Sequence, residues 1–385
     1  MQRHLFFSRL ASALKHEHQI FFASSEPLSV LMAQMEGFSA KHLSRKAAQS
    51  KYFSTADLLD ITEKSIEVLN GLFSATDSFQ DAVSISDGLY EYLKQNEVDK
   101  VIIWNGQQLL GRAASLAAGK AGIKAQYLEL ANLPGKLFSD PQGVNALSSI
   151  AHNIEIIDRL PEVPEEVHQS WLKSYELSKQ KPLPQSQRKL KNTILSAVNI
   201  ILKKSFKSTC TIDIKKRKTS TLSHQLEQMS VPPHTNNYIF LALQVSSDTQ
   251  IKLHSNHDNI DAIHISREEA NRAGLDLIVK IHPAENSPEE ISRIVKAQKS
   301  IGFIISSDNT IDLLKKAHTV ITINSTVGLE ALLFGKRVKT LGRCFYKNFD
   351  NARIKKYIHH YLIDEVNYFD NSTIKTRTAL QLIGA

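Results

Sequence analysis

The strongest constraint on this chain is a rhythm. From Asn237 onward, short apolar runs, "NNYIFLALQ", "LDLIVKIHP", "IGFIISS", "HTVITINS" and "RVKTLG", recur with helical patterns between them. Runs this short, apolar at successive positions and rich in Ile and Val, read as strands buried on both faces. The helical spacers supply the crossovers that parallel pairing requires. One spacer, "SPEEISRIVKAQKS", opens with an N-cap pattern at Ser287, Pro288 and two glutamates. The same rhythm runs from the N-terminus to about Asn153, through "HQIFFASS", "VDKVIIWNG", the helix "QLLGRAASLAAGKAG" and "IKAQYLEL", then a loop containing "LPGKLFSDPQG". Both halves therefore read as Rossmann-like α/β units. At 385 residues and 42% hydrophobic content the chain can supply two cores.

Between the halves, from Pro161 to Pro233, the chain is punctuated by proline, rich in lysine and poor in strand signals, which predicts a helical connector. The charge is concentrated there. Residues 171–218 hold 13 Lys and Arg against Glu176 and Asp213, a net of +11, while the chain as a whole carries +8. A local basic patch of this size suggests an anionic partner, phospholipid headgroups or nucleic acid, with a solvated linker as the plain alternative. Aromatic content of 7% without an alternating aromatic and basic face argues against nucleic acid. Within the segment, the apolar "TILSAVNIIL" (Thr193 to Leu202) is flanked by lysines; it is too short to span a bilayer, but suits a membrane interface or a helix packed on a domain. The first 25 residues are too interrupted by charge for a signal-peptide core, and no run reaches the roughly 18 apolar residues of a membrane span. Cys210 and Cys344 stand far apart, without disulfide or metal spacing. The expectation is a cytoplasmic protein, soluble or resting on a membrane surface.

In open parallel sheets ligands bind beyond the C-terminal strand ends. In the second half these ends are unusually polar: Gln244 leading to Asp248, His282-Pro283, and Asn324-Ser325-Thr326. Ser325 and Thr326 fall where a strand end meets a helix N-terminus, whose unpaired amides and dipole favour a phosphate; alternatively one of them is simply an N-cap. Gly328 permits a close approach of backbone or ligand, or serves packing, and Glu330 can accept hydrogen bonds from ribose hydroxyls. His282 can donate to a phosphate or leaving group, and Asp248 can act as acid/base, nucleophile or helix cap. The stretch "HSNHDN" (His254 to Asn259) invites a metal reading but lacks a distant matching ligand pair. No Asp-x-Asp pair, GxxxxGK[ST] loop, GxGxxG after a strand or GxSxG elbow occurs, which weakens metal-diphosphate, ATPase, dehydrogenase and hydrolase readings.

With those residues in place, "FLALQVSSDTQIKLHS", "LIVKIHP" and "ITINSTVGLEALLFGKRVKTLGRCFY" together resemble the capsule polysaccharide biosynthesis family, whose characterised members are retaining β-Kdo transferases with Q-x-x-x-D and HP motifs. The match is to Gln244–Asp248 and His282-Pro283, and is most like the single-module members that add the first Kdo to phosphatidylglycerol. "YLELANLPGKLFSDPQGVNALSS", with Glu129 and Gly143 to Ser149, resembles a further family segment. The resemblance implies a GT-B fold, two Rossmann-like domains facing a cleft. It divides the chain into an acceptor-side domain (1–160), the basic connector (161–233), a CMP-sugar-binding domain (234–345) and C-terminal helices crossing back (346–385). It implies CMP-Kdo as donor, no metal or other cofactor, and a lipid or glycan acceptor. In this reading Asp248 is the nucleophile, Glu129 an acid/base reaching from the N-terminal domain, and His282 a catalytic and phosphate-binding group. Gln244, Pro283, Asn324, Ser325, Thr326, Gly328 and Glu330 line the nucleotide site. It also implies a location on the cytoplasmic side of the inner membrane, held by residues 171–218, among other capsule assembly proteins. Two alternatives remain open: a sialic acid or other ulosonic acid donor, and a non-catalytic scaffold of the capsule machinery. The family pattern also carries a strand and a Gly-containing loop before the "FFSRLASALK"-like helix, at which this chain begins.

Overall fold

The computed structural model describes residues 2–46, 49–131, 133–179, 190–210 and 236–385. Much of the expected connector, at 180–189 and 211–235, lies outside the described residues. The chain divides into two compact units: residues 1–149, 164–213 and 359–385 form the first, and 150–163 and 214–358 the second. The stretch 150–163 thus groups with the second unit, and the chain returns to the first at His359.

The second unit is built on a five-stranded sheet of β6 (Ile239–Ala242), β7 (Leu277–Lys280), β8 (Ile304–Ile305), β9 (Thr319–Thr322) and β10 (Arg337–Thr340). All neighbours are parallel, in the order β10-β9-β6-β7-β8. The five expected runs are these five strands. β6 is buried at every residue because it is central and covered on both faces. Its alternation shows the layers. Ile239 and Leu241 point into one core with Ile263, Ala270 and Ile294, whereas Phe240 and Ala242 point into another with Leu313, Leu314 and Ala331. The covering helices start and stop where the sequence requires. Ser287 caps the helix Pro288–Ile301 by accepting from the Glu290 amide, with Pro288 in the first turn. Asp258 and Asp261 form a capping box on the helix Asn259–Ala273, which ends at a left-handed Gly274.

The first unit holds two small sheets. β1 (Phe21–Ser24) pairs parallel with β2 (Ser39–His42). β3 (Lys100–Trp104) pairs parallel with β4 (Lys124–Leu130), which pairs antiparallel with β5 (Leu137–Asp140). β5 lies in the stretch that the sequence assigns to a loop; Pro and Gly around it mask a run too short to show alternation, and its place in the fold comes from the ladder to β4. Among the described residues no ladder joins the two sheets. The helix Thr376–Ile383 returns to the first helix, Gln2–Leu14, burying Leu382 and Ile383 in one core with Phe6, Leu10, Leu128 and Leu137.

Candidate active site

Register explains why distant motifs meet in the second unit. Ala242 lies opposite Thr322 on β9 and Lys280 on β7. Two residues on along each strand come Gln244, Asn324 and His282, so all three emerge at the same end of the sheet. That end carries the topological switch point, since the chain goes from β6 to β7 and β8 on one side and then crosses to β9 and β10 on the other. The crevice between β6 and β9 is where doubly wound sheets bind ligands.

The switch point is stitched by side-chain amides. Gln244, 4% exposed, donates from Nε2 to Asn324 Oδ1 at 3.0 Å and accepts the Asn324 backbone amide on Oε1 at 3.0 Å. Asn324 Nδ2 donates in turn to the Gln250 carbonyl at 2.8 Å. Asp248 caps the helix Thr249–His254, its Oδ1 accepting from the Gln250 amide at 2.9 Å, while Gln244 Nε2 stands 3.4 Å from its Oδ2. The cap fixes the carboxylate at the strand end and leaves Oδ2 as its less constrained oxygen.

His282 is exposed beside this network. Its Nδ1 accepts from the Ala284 amide at 3.0 Å, which places the ring proton on Nε2 in the neutral form. Desolvation lowers its pKa, assisted by Lys280 and opposed by Asp248 and Glu285. The ring is therefore a neutral donor at physiological pH. Ser325 caps the helix Thr326–Leu333, Oγ accepting from the Val327 amide at 3.2 Å; the hydroxyl proton is available to an anion. Gly328 makes room for Tyr346, because a Cβ there would lie 2.7 Å from the Tyr346 hydroxyl. That hydroxyl donates to the Ser325 carbonyl. Glu330 is buried on the inward face of the same helix. Pro283 follows His282 at the exposed rim.

Glu129 belongs to the first unit, near the end of β4. Asn105, which follows β3 with a left-handed φ of 62°, donates to its Oε2, and the Leu130 amide donates to Oε1 at 2.9 Å. Burial raises its pKa, against the hydrogen bonds from Asn105 and Leu130 and the charge of Arg3.

Several contributors carry no sequence motif. Buried Glu285 accepts the Ser246 amide at 2.6 Å and the Ser287 amide at 2.9 Å, tying the loops after β6 and β7 together. Asn259 bonds both backbone groups of Gln244, at 2.9 and 3.3 Å, and donates to Glu290 at 3.0 Å. Glu285, two residues past His282-Pro283, is the one with a positional signal. In the "HSNHDN" stretch Asp258 is occupied as a cap and by Arg293 at 2.6 Å, and among the described residues no group of three metal-ligating side chains occurs.

A doubly wound parallel unit with a carboxylate, an imidazole and a capped helix N-terminus at its switch point defines the class, an α/β protein with a parallel sheet. The chain belongs to the capsule polysaccharide biosynthesis protein family, whose model matches residues 99–350, well over half its length. It is 27% identical over 286 residues to Protein FixF of Sinorhizobium fredii, covering 73% of this chain and 58% of that protein. It is 27% identical over 139 residues to the capsule polysaccharide export protein KpsS of Escherichia coli, covering 32% and 36%. The matched region is thus under two thirds of either relative. Among solved structures it is similar to the β-Kdo 2,4 transferase of Thermosulfurimonas dismutans KpsC, with a TM-score of 0.44, 14% identity and coverage of 96% of this chain and 100% of that one. The β-Kdo 2,7 transferase of the same protein gives a TM-score of 0.41 at 17% identity, covering 77% and 88%.

Proposed function

We propose that this chain is a retaining glycosyltransferase that moves Kdo from CMP-Kdo to a lipid or glycan acceptor in capsule polysaccharide assembly. The observation that carries the reading is the convergence of Asp248, His282 and the Ser325-capped helix on one switch point. CMP has a single phosphate, so a helix N-terminus, the Ser325 hydroxyl and His282 Nε2–H suffice to offset its charge without a cation. Asn324, Thr326 and the buried Gln244 shape the floor of that site, and Pro283 and Glu330 its margins.

In the first step an Asp248 carboxylate oxygen bonds to the anomeric carbon as the bond to the CMP phosphate oxygen breaks and CMP leaves. In the second step the acceptor hydroxyl displaces Asp248 and gives its proton to Glu129. Two inversions yield net retention. A base must hold that proton, and the raised pKa of Glu129 suits it to do so. The proposal includes the GT-B arrangement and an anionic membrane surface, on the cytoplasmic side of the inner membrane, as the place of work. The test is CMP release from CMP-Kdo with a lipid or glycan acceptor, and mass spectrometry of the protein for a covalent sugar on Asp248. Full activity of Asp248→Ala would remove the nucleophile and with it this mechanism.

A further inference from the structure

The first unit exposes apolar side chains where a water-facing surface would not. Among the described residues, Met35 is 79%, Ile201 66% and Phe206 56% exposed, and Leu31 and Val198 are exposed beside them in the sequence of the same two helices. These are half of the exposed large hydrophobic residues identified, and they concentrate on the helix Pro27–Met35 and on the helix Leu190–Ser205 with the turn that follows it. Isolated exposed apolar residues need no explanation, but a concentration on adjoining helices does.

The two helices are neighbours by specific contacts. Lys203 Nζ donates to Glu26 at 2.9 Å, and Asn199 Oδ1 accepts from the Leu28 amide at 3.3 Å while its amide group donates to Glu26. All of these contacts fall at the start of the helix Pro27–Met35, so Asn199 and Lys203 hold its N-terminus against the later helix. Val30 and Ala33 turn inward on the first, leaving Leu31 and Met35 outward. On the second, Asn199 and buried Lys203 face the partner helix, and Val198 and Ile201, three apart, lie on the other side. The turn is tied down from beneath, since the Lys207 carbonyl accepts from the Arg45 amide at 2.8 Å and Ser208 bonds His42 at 2.8 Å. Phe206 is thereby held outward on a fixed turn, edge-on to His42.

The charge beside Ile201 and Phe206 is positive, whereas the acid that follows Met35, Glu36, is paired with His4 at 3.3 Å. Lys204 and Lys207 are exposed next to Ile201 and Phe206, and the surrounding 171–218 sequence is +11. The acid within the helix pair, Glu26, is engaged by Lys203 and Asn199. We infer that the face formed by the helices Pro27–Met35 and Leu190–Ser205 docks onto an anionic lipid bilayer, inserting Ile201, Phe206, Met35 and Leu31 below the headgroups while Lys204 and Lys207 bind headgroup phosphates. Apolar residues flanked by lysines are what an interfacial helix needs. The inference rests on the membrane-surface reading above and assigns it to particular residues.

The test is flotation of the full chain with vesicles of phosphatidylcholine alone and of phosphatidylcholine with phosphatidylglycerol. Co-flotation is expected only with the anionic vesicles, weakening with salt. Binding should fall roughly fivefold for each lysine neutralised in Lys204→Gln and Lys207→Gln. It should be lost in Ile201→Ser/Phe206→Ser, whose exposed positions leave the circular dichroism spectrum unchanged. Turnover of CMP-Kdo on a soluble acceptor should be unaltered in these variants. Its absence in the wild type would sink the enzyme reading and leave the lipid result standing. Equal flotation of the serine variant and the wild type would overturn the docking face. So would a wild-type dimer, seen by light scattering, that Ile201→Ser converts to monomer, since the face would then meet a second copy.

Discussion

Gln244 and Asn324, eighty residues apart, exchange two hydrogen bonds of 3.0 Å across the β6–β9 switch point. Gln244→Ala would strand the Asn324 amide and carbonyl in a buried position, at a cost of about 1–3 kcal/mol. The urea midpoint should fall accordingly. Because Gln244 also borders Asp248, transferase turnover should fall further than the loss of folded protein explains, which single-turnover kinetics can separate from stability.

Asp248 is both a helix cap and the proposed nucleophile, and the two roles separate chemically. Asparagine caps as well as aspartate does. Asp248→Asn should therefore unfold at the wild-type temperature yet lose at least about a thousandfold in kcat. Asp248→Ala should lose both activity and about 1 kcal/mol of stability. Measured thermal unfolding beside initial rates gives the answer; an active asparagine variant would leave Asp248 as a cap alone.

Gly328→Ala should be destabilising because its Cβ would sit 2.7 Å from the Tyr346 hydroxyl and 3.0 Å from Thr322 Cγ2. Overpacking of this kind costs about 1–3 kcal/mol. Adding Tyr346→Phe removes the nearest atom and should recover part of the loss. A double-mutant cycle in chemical denaturation reads the coupling.

Burial raises the pKa of Glu129 from the ordinary glutamate value, with Asn105 opposing. As the proposed base it must be ionised, so the acid limb of kcat/KM should be displaced upward in pH. Asn105→Gly keeps the left-handed φ of 62° but removes the donor. The acid limb should then move to still higher pH; an unmoved limb would separate Glu129 from the proton transfer.

His359, in the π-helical turn Tyr357–Tyr361, lies 3.2 Å from buried His168 and edge-on to Trp171. Burial, with help from Lys136 and His168 and against Asp364, pushes its pKa down from 6.5 to about 4. A depressed folded-state pKa means that the unfolded chain takes up the proton first as pH falls. The stability it confers is complete above 6.5 and is lost as pH drops toward 4. Urea midpoints across that window should slope downward in the wild type and flatten in His359→Leu.

The primary sequence determined the second unit nearly whole. Runs such as "YIFLAL" and "TVITI" have no polar face, so they fit only a sheet covered on both sides, and Ser287-Pro288 announces its helix by local capping chemistry. It also exposed Asp248, His282 and Ser325, because polar residues at the ends of buried strands are conspicuous. It did not reveal β5, whose four residues become a strand only through pairing with β4. Nor did it show that Gly328 yields space to Tyr346, that Glu285 ties two loops together, or that Asn105 holds Glu129. Local propensity and burial pattern act over a few residues and can be read along the chain. Register, side-chain partnership and desolvation depend on which residues the folded backbone brings within a few ångströms, and only the tertiary structure decides that.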